Sequence, residues 1–188
     1  ITDFQNYPTS LKEDLIKLEE INCDIIYAPD TNDLYDQNET VKEYMFGDIT
    51  KIMEGKYRPG HFNGVATIVE KLFHIINPQK AFFGEKDLQQ LQIIKKLVKQ
   101  KKLNIDVIGM PTIREKNGLA KSSRNQLLSE KEKKEATLIY RSLLYCKENM
   151  HLGIHKLKKH VTKQINSNKH INLEYIEFVE TKDMKRIE

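Results

Sequence analysis

The fold is decided by the stretch Ala81-Phe82-Phe83-Gly84-Glu85-Lys86-Asp87-Leu88, where a short apolar run ends on a glycine and a helix begins. Apolar residues then recur at helical spacing, which predicts a helix over 88–98, and the next strand is predicted over 105–108. A largely buried helix is predicted over 65–76, ended by Asn77-Pro78. This alternation predicts an α/β fold in which helices cover both faces of a parallel sheet.

The flanking segments extend this pattern. We predict a helix over 10–21, a strand over 23–27, a surface loop over 31–38 and a short helical turn over 48–54. After Pro111 the pattern changes, and Ser129 with Glu132 forms a capping box ahead of a helix that runs to about residue 149. A further helix (154–165) and a strand (172–180) complete the prediction. We therefore expect an α/β domain over 1–110 and a smaller α+β domain over 111–188.

Composition excludes several classes of protein. The 188 residues are 39% hydrophobic and 31% charged, the balance of a globular protein, and no apolar run approaches the roughly 20 residues that span a bilayer. Two cysteines make neither a disulfide framework nor a four-ligand zinc site, and they fit a reducing cytoplasm. The net charge of +4 comes with lysine clusters but without arginine stripes or stacking aromatics. We therefore expect no membrane and no nucleic-acid partner.

The turn after the first strand is the strongest candidate for chemistry. In parallel sheets ligands bind at the carboxyl ends of strands, where helix N-termini present free N–H groups. Gly84 permits close approach of a ligand, Lys86 supplies a point charge for phosphate, and Asp87 suits either a helix cap or an indirect magnesium ligand. Gln90 lies one turn beyond Lys86 on the same helical face. The alternative is an ordinary join between a strand and a helix.

Two other polar clusters interrupt the apolar pattern. Arg58-Pro59-Gly60-His61-Phe62-Asn63-Gly64 precedes the buried helix and suits an anion contact, or a loop in which His61 only caps the helix. Gly118-Leu119-Ala120-Lys121-Ser122-Ser123-Arg124-Asn125 carries hydroxyls and an arginine that suit a polyphosphate. As a bare pattern this second cluster equally fits a surface turn or a phosphorylation site.

Taken together, these clusters resemble one family. The order RPGHFNGV, FFGEKDLQQLQIIKKLV and GLAKSSRN, at these separations, closely resembles the pantoate–β-alanine ligases, from about residue 4 to residue 179. The pair Glu54-Gly55 and Tyr7-Pro8-Thr9 resemble that family too. The resemblance implies a Rossmann-like nucleotidyltransferase domain that binds ATP and pantoate over 1–110, a C-terminal lid domain over 111–188, and a cytoplasmic homodimer. It also implies a reaction that uses ATP and Mg²⁺ to join pantoate to β-alanine through pantoyl adenylate.

The resemblance also implies roles for individual residues. Those implied to bind ATP are Gly84, Glu85, Lys86, Asp87, Ile113, Lys121, Ser122, Ser123 and Arg124. Gln90 matches a pantoate-binding glutamine, and Arg58, His61 and Tyr7 match residues near the β-alanine and phosphate region. The residues implied to act in catalysis are Lys86, Ser122, Ser123, Arg124, His61 and Arg58.

Two departures from the family stand out. Lys121 occupies a position where the family usually has Met or Leu, and no HxGH motif, which the family carries near its start to bind ATP phosphates, occurs in this sequence. We therefore expect a fragment that lacks the N-terminal HxGH segment and the C-terminal end. The alternatives are a catalytically impaired nucleotide-binding fragment and another adenylate-forming nucleotidyltransferase.

Overall fold

The structure is a computed structural model that describes residues 11–34 and 42–187. Its regular elements, in chain order, are α1 (Leu11–Glu20), α2 (Thr31–Leu34), α3 (Met53–Tyr57), α4 (His61–Ile76), β1 (Lys80–Gly84), α5 (Leu88–Gln100), β2 (Asp106–Met110), α6 (Glu130–Glu148) and α7 (Ile154–Asn166). Short 3-10 turns lie at Gly47–Lys51, Glu85–Asp87, Ser123–Leu127 and Met150–Leu152. The helices predicted at 10–21, 65–76, 88–98 and 154–165 are confirmed, although α4 begins four residues earlier than predicted.

The two strands form a parallel pair, as predicted. Lys80 pairs with Asp106 and Gly84 with Met110, and α5 connects the strands. This is a βαβ unit, so the carboxyl ends of both strands lie at the same edge of the sheet. The polar turn at Glu85–Asp87 leaves from that edge and leads directly into α5.

Helices cover one face of this strand pair in the described ranges, not both as predicted. Ala81 and Phe83 face the core, where the Phe83 ring meets the Phe73 ring of α4 edge-on with centroids 6.4 Å apart. On the opposite face Phe82 is 61% exposed and Met110 is 45% exposed. A single βαβ unit places its helix on one side only, and α4 lies on that same side.

Among the residues that the structure describes, apolar side chains are buried in two clusters. The larger lies between α4, α5 and the strands, and it includes Ile93, Ile94 and Leu97 of α5 together with Met184 from near the end of the chain. The smaller lies between α6 and α7, around Leu157 and Val161. The capping box at Ser129 is confirmed, because its backbone N–H donates to Glu132 Oε2 at 2.8 Å and its hydroxyl accepts from the Glu132 N–H.

Two predicted strands are wrong. Residues 23–27 form no strand, and Ile25 is 84% exposed, because no neighbouring backbone in the described ranges supplies the hydrogen bonds that a strand needs. Among the described residues, 172–180 take part in one antiparallel bridge, between Val179 and Arg186, and otherwise pack as an irregular segment against the α6–α7 cluster. The loop predicted at 31–38 begins with α2, and residues 35–38 lie outside the described ranges. No helix within 11–34 and 42–187 has both the length and the apolar character to cross a membrane.

Candidate active site

A cleft of about 460 Å³ opens beside the carboxyl end of β1, and we call it the central cleft. Its walls come from α3, α4, the start of α5, the loop at Arg124 and the segment at Tyr175. The lining residues are Met53, Glu54, Arg58, His61, Phe62, Lys86, Asp87, Leu88, Gln89, Gln90, Arg124 and Tyr175. The fold thus brings residues from all three predicted clusters into one space.

The turn after β1 presents its charged side chains to this cleft. Lys86 Nζ lies 3.3 Å from Asp87 Oδ1, and both side chains remain partly exposed. Asp87 does not cap α5 with its side chain, so the carboxylate stays available to other partners. No heavy atom lies within 4 Å of the position that a Cβ of Gly84 would take, which leaves open space against the backbone. Glu85, by contrast, lines a separate cavity and lies against Gly109.

Arg58 and His61 meet at the entrance of α4. An Nη1 atom of Arg58 lies 3.4 Å from Nε2 of His61, and both residues line the central cleft. Partial burial lowers the pKa of the His61 imidazole, and the positive charges of Arg58 and Arg124 lower that pKa further. A neutral imidazole beside the Arg58 guanidinium can accept or donate a hydrogen bond without adding charge.

Gln90 and Gln89 both line the central cleft, but Gln89 is buried whereas Gln90 is half-buried. Gln90 lines the central cleft, where its amide can both donate and accept. Gln89 is only 3% exposed, and its amide nitrogen donates to the carbonyls of Ile49 at 2.6 Å and Ile52 at 2.9 Å. Gln89 therefore fixes the turn that leads into α3, while the half-buried Gln90 is the more accessible of the two to a ligand.

The loop predicted to grip phosphates divides its residues between two cavities. Arg124 lines the central cleft, whereas Lys121, Ser122 and Ser123 line a second cavity of about 910 Å³, which also has Lys116, Lys133 and Lys134 in its wall. The Ser122 hydroxyl accepts from the Arg124 N–H at 3.3 Å and so begins the 3-10 turn. The loop thus stands between two cavities that both carry lysine or arginine side chains.

One other predicted residue, Ile113, does not line the central cleft. Ile113 is 66% exposed, and its carbonyl accepts from the Lys121 N–H at 2.9 Å, which places it at the base of the loop. Tyr7 lies outside the described residues. A role of Ile113 beside adenine therefore stays a prediction.

Two residues of the cleft are not predicted as functional groups from the sequence. Glu54 enters the resemblance only as a Glu-Gly pair, and Tyr175 falls within a predicted strand. In the structure the Tyr175 hydroxyl donates to Glu54 Oε1 at 2.8 Å, and both residues line the central cleft. Since 121 positions separate the two residues, no local pattern in the sequence could have joined them.

Comparison with known proteins decides the family. The pantoate–β-alanine ligase profile matches residues 1–188, the whole chain. The chain belongs to the pantoate–β-alanine ligase family. Pantothenate synthetase from Carboxydothermus hydrogenoformans is 42% identical over 189 residues, which cover 99% of this chain and 67% of that protein. The enzyme of the same name from Acinetobacter baylyi is 46% identical over 152 residues, covering 81% of this chain and 54% of its own length.

Solved structures of the family agree with the fold. Pantothenate synthetase from Thermus thermophilus matches with a TM-score of 0.92 at 34% identity, over 98% of this chain and 68% of that one. Pantoate–β-alanine ligase from Francisella tularensis, solved in complex with β-γ ATP and β-alanine, matches with a TM-score of 0.75 at 36% identity. That match covers 87% of this chain and 62% of that one. The predicted α/β class is confirmed, and the chain spans about two thirds of the length of these ligases.

Proposed function

We propose that this chain forms part of a ligase that joins pantoate to β-alanine at the expense of ATP. The observation that carries the proposal is the central cleft, where Arg58, His61, Lys86, Gln90 and Arg124 meet in a chain of the pantoate–β-alanine ligase family. These are the side chains that the sequence singled out from three separate clusters. Their convergence in one space supports a shared site for ATP and pantoate.

The reaction has two steps. An oxygen of the pantoate carboxylate attacks the α-phosphorus of ATP, the bond to the bridging oxygen breaks, and pyrophosphate leaves. The amine nitrogen of β-alanine then attacks the acyl carbon, loses a proton, and AMP departs with the electrons of the former acyl–oxygen bond. Neither step needs a covalent enzyme intermediate, so the protein contributes positioning and charge stabilisation.

The described residues suit these tasks. Lys86 and Arg124 bring positive charge to the cleft, where phosphate oxygens gain negative charge during the first step. We assign the pantoate contact to Gln90, and contacts to phosphate to Gly84, Glu85, Lys121, Ser122 and Ser123. Arg58, His61 and Tyr7 are assigned to the β-alanine and phosphate region, and Ile113 to the adenine.

Magnesium fits the site in one specific way. Among the residues that the structure describes, no group of three His, Cys, Asp or Glu side chains could hold a metal ion. Mg²⁺ commonly binds through one or two carboxylates together with substrate phosphates and water, and the position of the Asp87 carboxylate in the lining of the central cleft supports that arrangement. The ion would supply charge neutralisation on the phosphates.

The proposals for the assembly and location of the protein rest on its resemblance to the family. We propose a cytoplasmic homodimer, with ATP, pantoate and β-alanine as its small-molecule partners. The smaller buried cluster is built entirely from residues after 110, which supports a second domain there, while Met184 joins the larger cluster and ties the two together. The molar mass in solution, measured by light scattering, tests the dimer.

The function is tested in two half-reactions with the protein produced from its complete gene. We expect pantoate-dependent exchange of labelled pyrophosphate into ATP, and release of AMP that requires β-alanine in addition. ATP binding without either reaction would overturn the proposal and favour a nucleotide-binding protein. Exchange driven by a different carboxylic acid, and not by pantoate, would favour another adenylate-forming nucleotidyltransferase.

A further inference from the structure

Glu54 and Tyr175 form a hydrogen-bonded pair of acceptors in the lining of the central cleft, beside its cations. Arg58, Lys86 and Arg124 suit the anionic parts of substrates, that is, phosphates and carboxylates. Of the two carboxylates in the lining, Asp87 lies 3.3 Å from Lys86. The other, Glu54, instead accepts a hydrogen bond from the Tyr175 hydroxyl at 2.8 Å.

The direction of that hydrogen bond determines what the pair can bind. Burial raises the pKa of the Tyr175 phenol, and the bond to Glu54 raises that pKa further, so the hydroxyl stays protonated. Because the O–H of Tyr175 donates its hydrogen bond to Glu54, the hydroxyl oxygen can only accept a hydrogen bond from a ligand. The second carboxylate oxygen of Glu54 is also an acceptor only. Together they present acceptors and negative charge to whatever enters the cleft.

Glu54 is held in place by its own backbone. The Glu54 N–H donates to Oε1 of Gln89 at 3.1 Å, and Gln89 is itself buried. The next residue is Gly55, where a Cβ would lie 2.2 Å from the carbonyl oxygen of Thr50, so this tight turn leaves no room for a side chain. The backbone that carries the Glu54 carboxylate is therefore fixed in position.

Tyr175 is also held from its other side. Its ring stacks on the ring of Tyr57 with centroids 5.3 Å apart and an interplanar angle of 18°. The Tyr57 hydroxyl in turn donates to the carbonyl of Glu174 at 2.9 Å. Both members of the acceptor pair are thus preorganised, which lowers the ordering entropy that a ligand must offset.

We propose that Glu54 and Tyr175 bind the ammonium group of the amine substrate. This inference rests on the proposed function, in which β-alanine is the substrate that brings a cation. Glu54 repels phosphates and carboxylates, which are attracted instead to the positive charges of Arg58, Lys86 and Arg124. The ammonium group of β-alanine and the anionic groups of the substrates therefore bind at different places in the cleft. The pair acts only in the second step, because pantoate and ATP carry no ammonium.

The two half-reactions provide the test. In Glu54→Gln the amide oxygen still accepts from Tyr175, but the negative charge is lost. We expect the KM for β-alanine to rise at least about tenfold, on the scale of a lost charge-assisted hydrogen bond. Pantoate-dependent pyrophosphate exchange should stay within about twofold of the wild type, because the substitution does not remove contacts with ATP or pantoate. Tyr175→Phe should shift the KM in the same direction and by a smaller factor.

A neutral nucleophile separates recognition of charge from general damage. Hydroxylamine is largely uncharged at neutral pH and traps acyl adenylates as hydroxamates, so its use by Glu54→Gln should match that by the wild type. Glu174→Gln is the matched control, because it removes a neighbouring exposed carboxylate that does not line the central cleft. That control should leave the KM for β-alanine unchanged.

Each other outcome overturns a distinct claim. An unchanged KM for β-alanine in both variants, with normal exchange, would refute the amine-binding pair and leave the proposed function intact. Equal decreases in the rates of pyrophosphate exchange, of hydroxamate formation and of the reaction with β-alanine would show that Glu54 has only a structural role, in which its hydrogen bond holds Tyr175 against α3. Absence of pantoate-dependent exchange in the wild type would instead refute the proposed function itself.

Discussion

The buried carboxylate of Glu70 should control the stability of the larger core in a pH-dependent way. Glu70 lies on α4 and is 3% exposed. Its Oε2 accepts from the Tyr44 hydroxyl at 2.5 Å, and its Oε1 lies 3.0 Å from Lys101 Nζ. Lys42 lies 3.5 Å from the same carboxylate, and His74 lies 3.7 Å from it one helical turn further on.

These contacts set the pKa of Glu70. Burial by itself raises it, but the hydrogen bonds from Tyr44 and Lys101 and the charge of Lys42 outweigh burial and lower the pKa from 4.5 to about 2. Because the folded state holds the ionised form more strongly, the stabilisation is complete above the unfolded pKa and is lost as pH falls towards the folded one. At 1.36 kcal/mol per pKa unit, this difference amounts to about 3 kcal/mol at pH 7 and roughly half of that at pH 3.

Substitution of Glu70 by Gln tests this reasoning. We expect Glu70→Gln to lower the free energy of unfolding by about 3 kcal/mol at pH 7, and the gap to the wild type to narrow by about half at pH 3. Urea denaturation followed by circular dichroism at both pH values measures the two differences. Glu148→Gln, an exposed position in the last turn of α6, is the control and should change stability by less than about 0.5 kcal/mol.

Two results would refute the account. A gap between Glu70→Gln and the wild type that is the same at pH 7 and pH 3 would mean that the charge of Glu70 contributes nothing. A gap no larger than that of Glu148→Gln would mean that the contacts with Tyr44, Lys42 and Lys101 do not stabilise the folded state.

Three further predictions concern the site and the helices. Lys86→Ala should slow adenylate formation at least about 100-fold in the pyrophosphate-exchange assay, as expected for a lost transition-state donor, whereas the exposed Lys99→Ala should not. The imidazole of His61, followed by NMR, should titrate with a midpoint below 6.5, and Arg58→Gln should raise that midpoint; a wild-type midpoint above 6.5 would contradict the geometry. Ser129→Ala should remove the cap of α6 and lower the free energy of unfolding by about 1 kcal/mol in urea, and no change would argue against the capping box.

Local patterns in the sequence predicted the elements whose signals are themselves local. The spacing of apolar residues located α5, because a helix with one buried face has apolar residues at helical intervals. The apolar run ending at Gly84 located β1 in the same way, because a short buried strand is a continuous apolar run. The capping box at Ser129 was readable for the same reason, since both of its hydrogen bonds join residues three positions apart. The family was readable because three clusters recur at fixed separations.

Predictions failed where the outcome depended on a partner elsewhere in the chain. Residues 23–27 have a composition suited to a strand, yet a strand forms only where another backbone supplies hydrogen bonds. In the same way, helix positions could be predicted, but not that α4 and α5 lie on the same face of the strand pair. Strand propensity is a property of one segment, whereas strand formation requires a second segment to pair with it.

The sequence alone determined the α/β class, the family and six of the residues that line the central cleft: Arg58, His61, Lys86, Asp87, Gln90 and Arg124. Only the tertiary structure decided that Gln89 is buried and holds a turn while its neighbour Gln90 is more exposed in the cleft, and that Tyr175 meets Glu54 from 121 positions away. The physical reason is that periodicity records which side of a helix is buried, whereas a hydrogen bond between distant segments depends on how the whole chain folds.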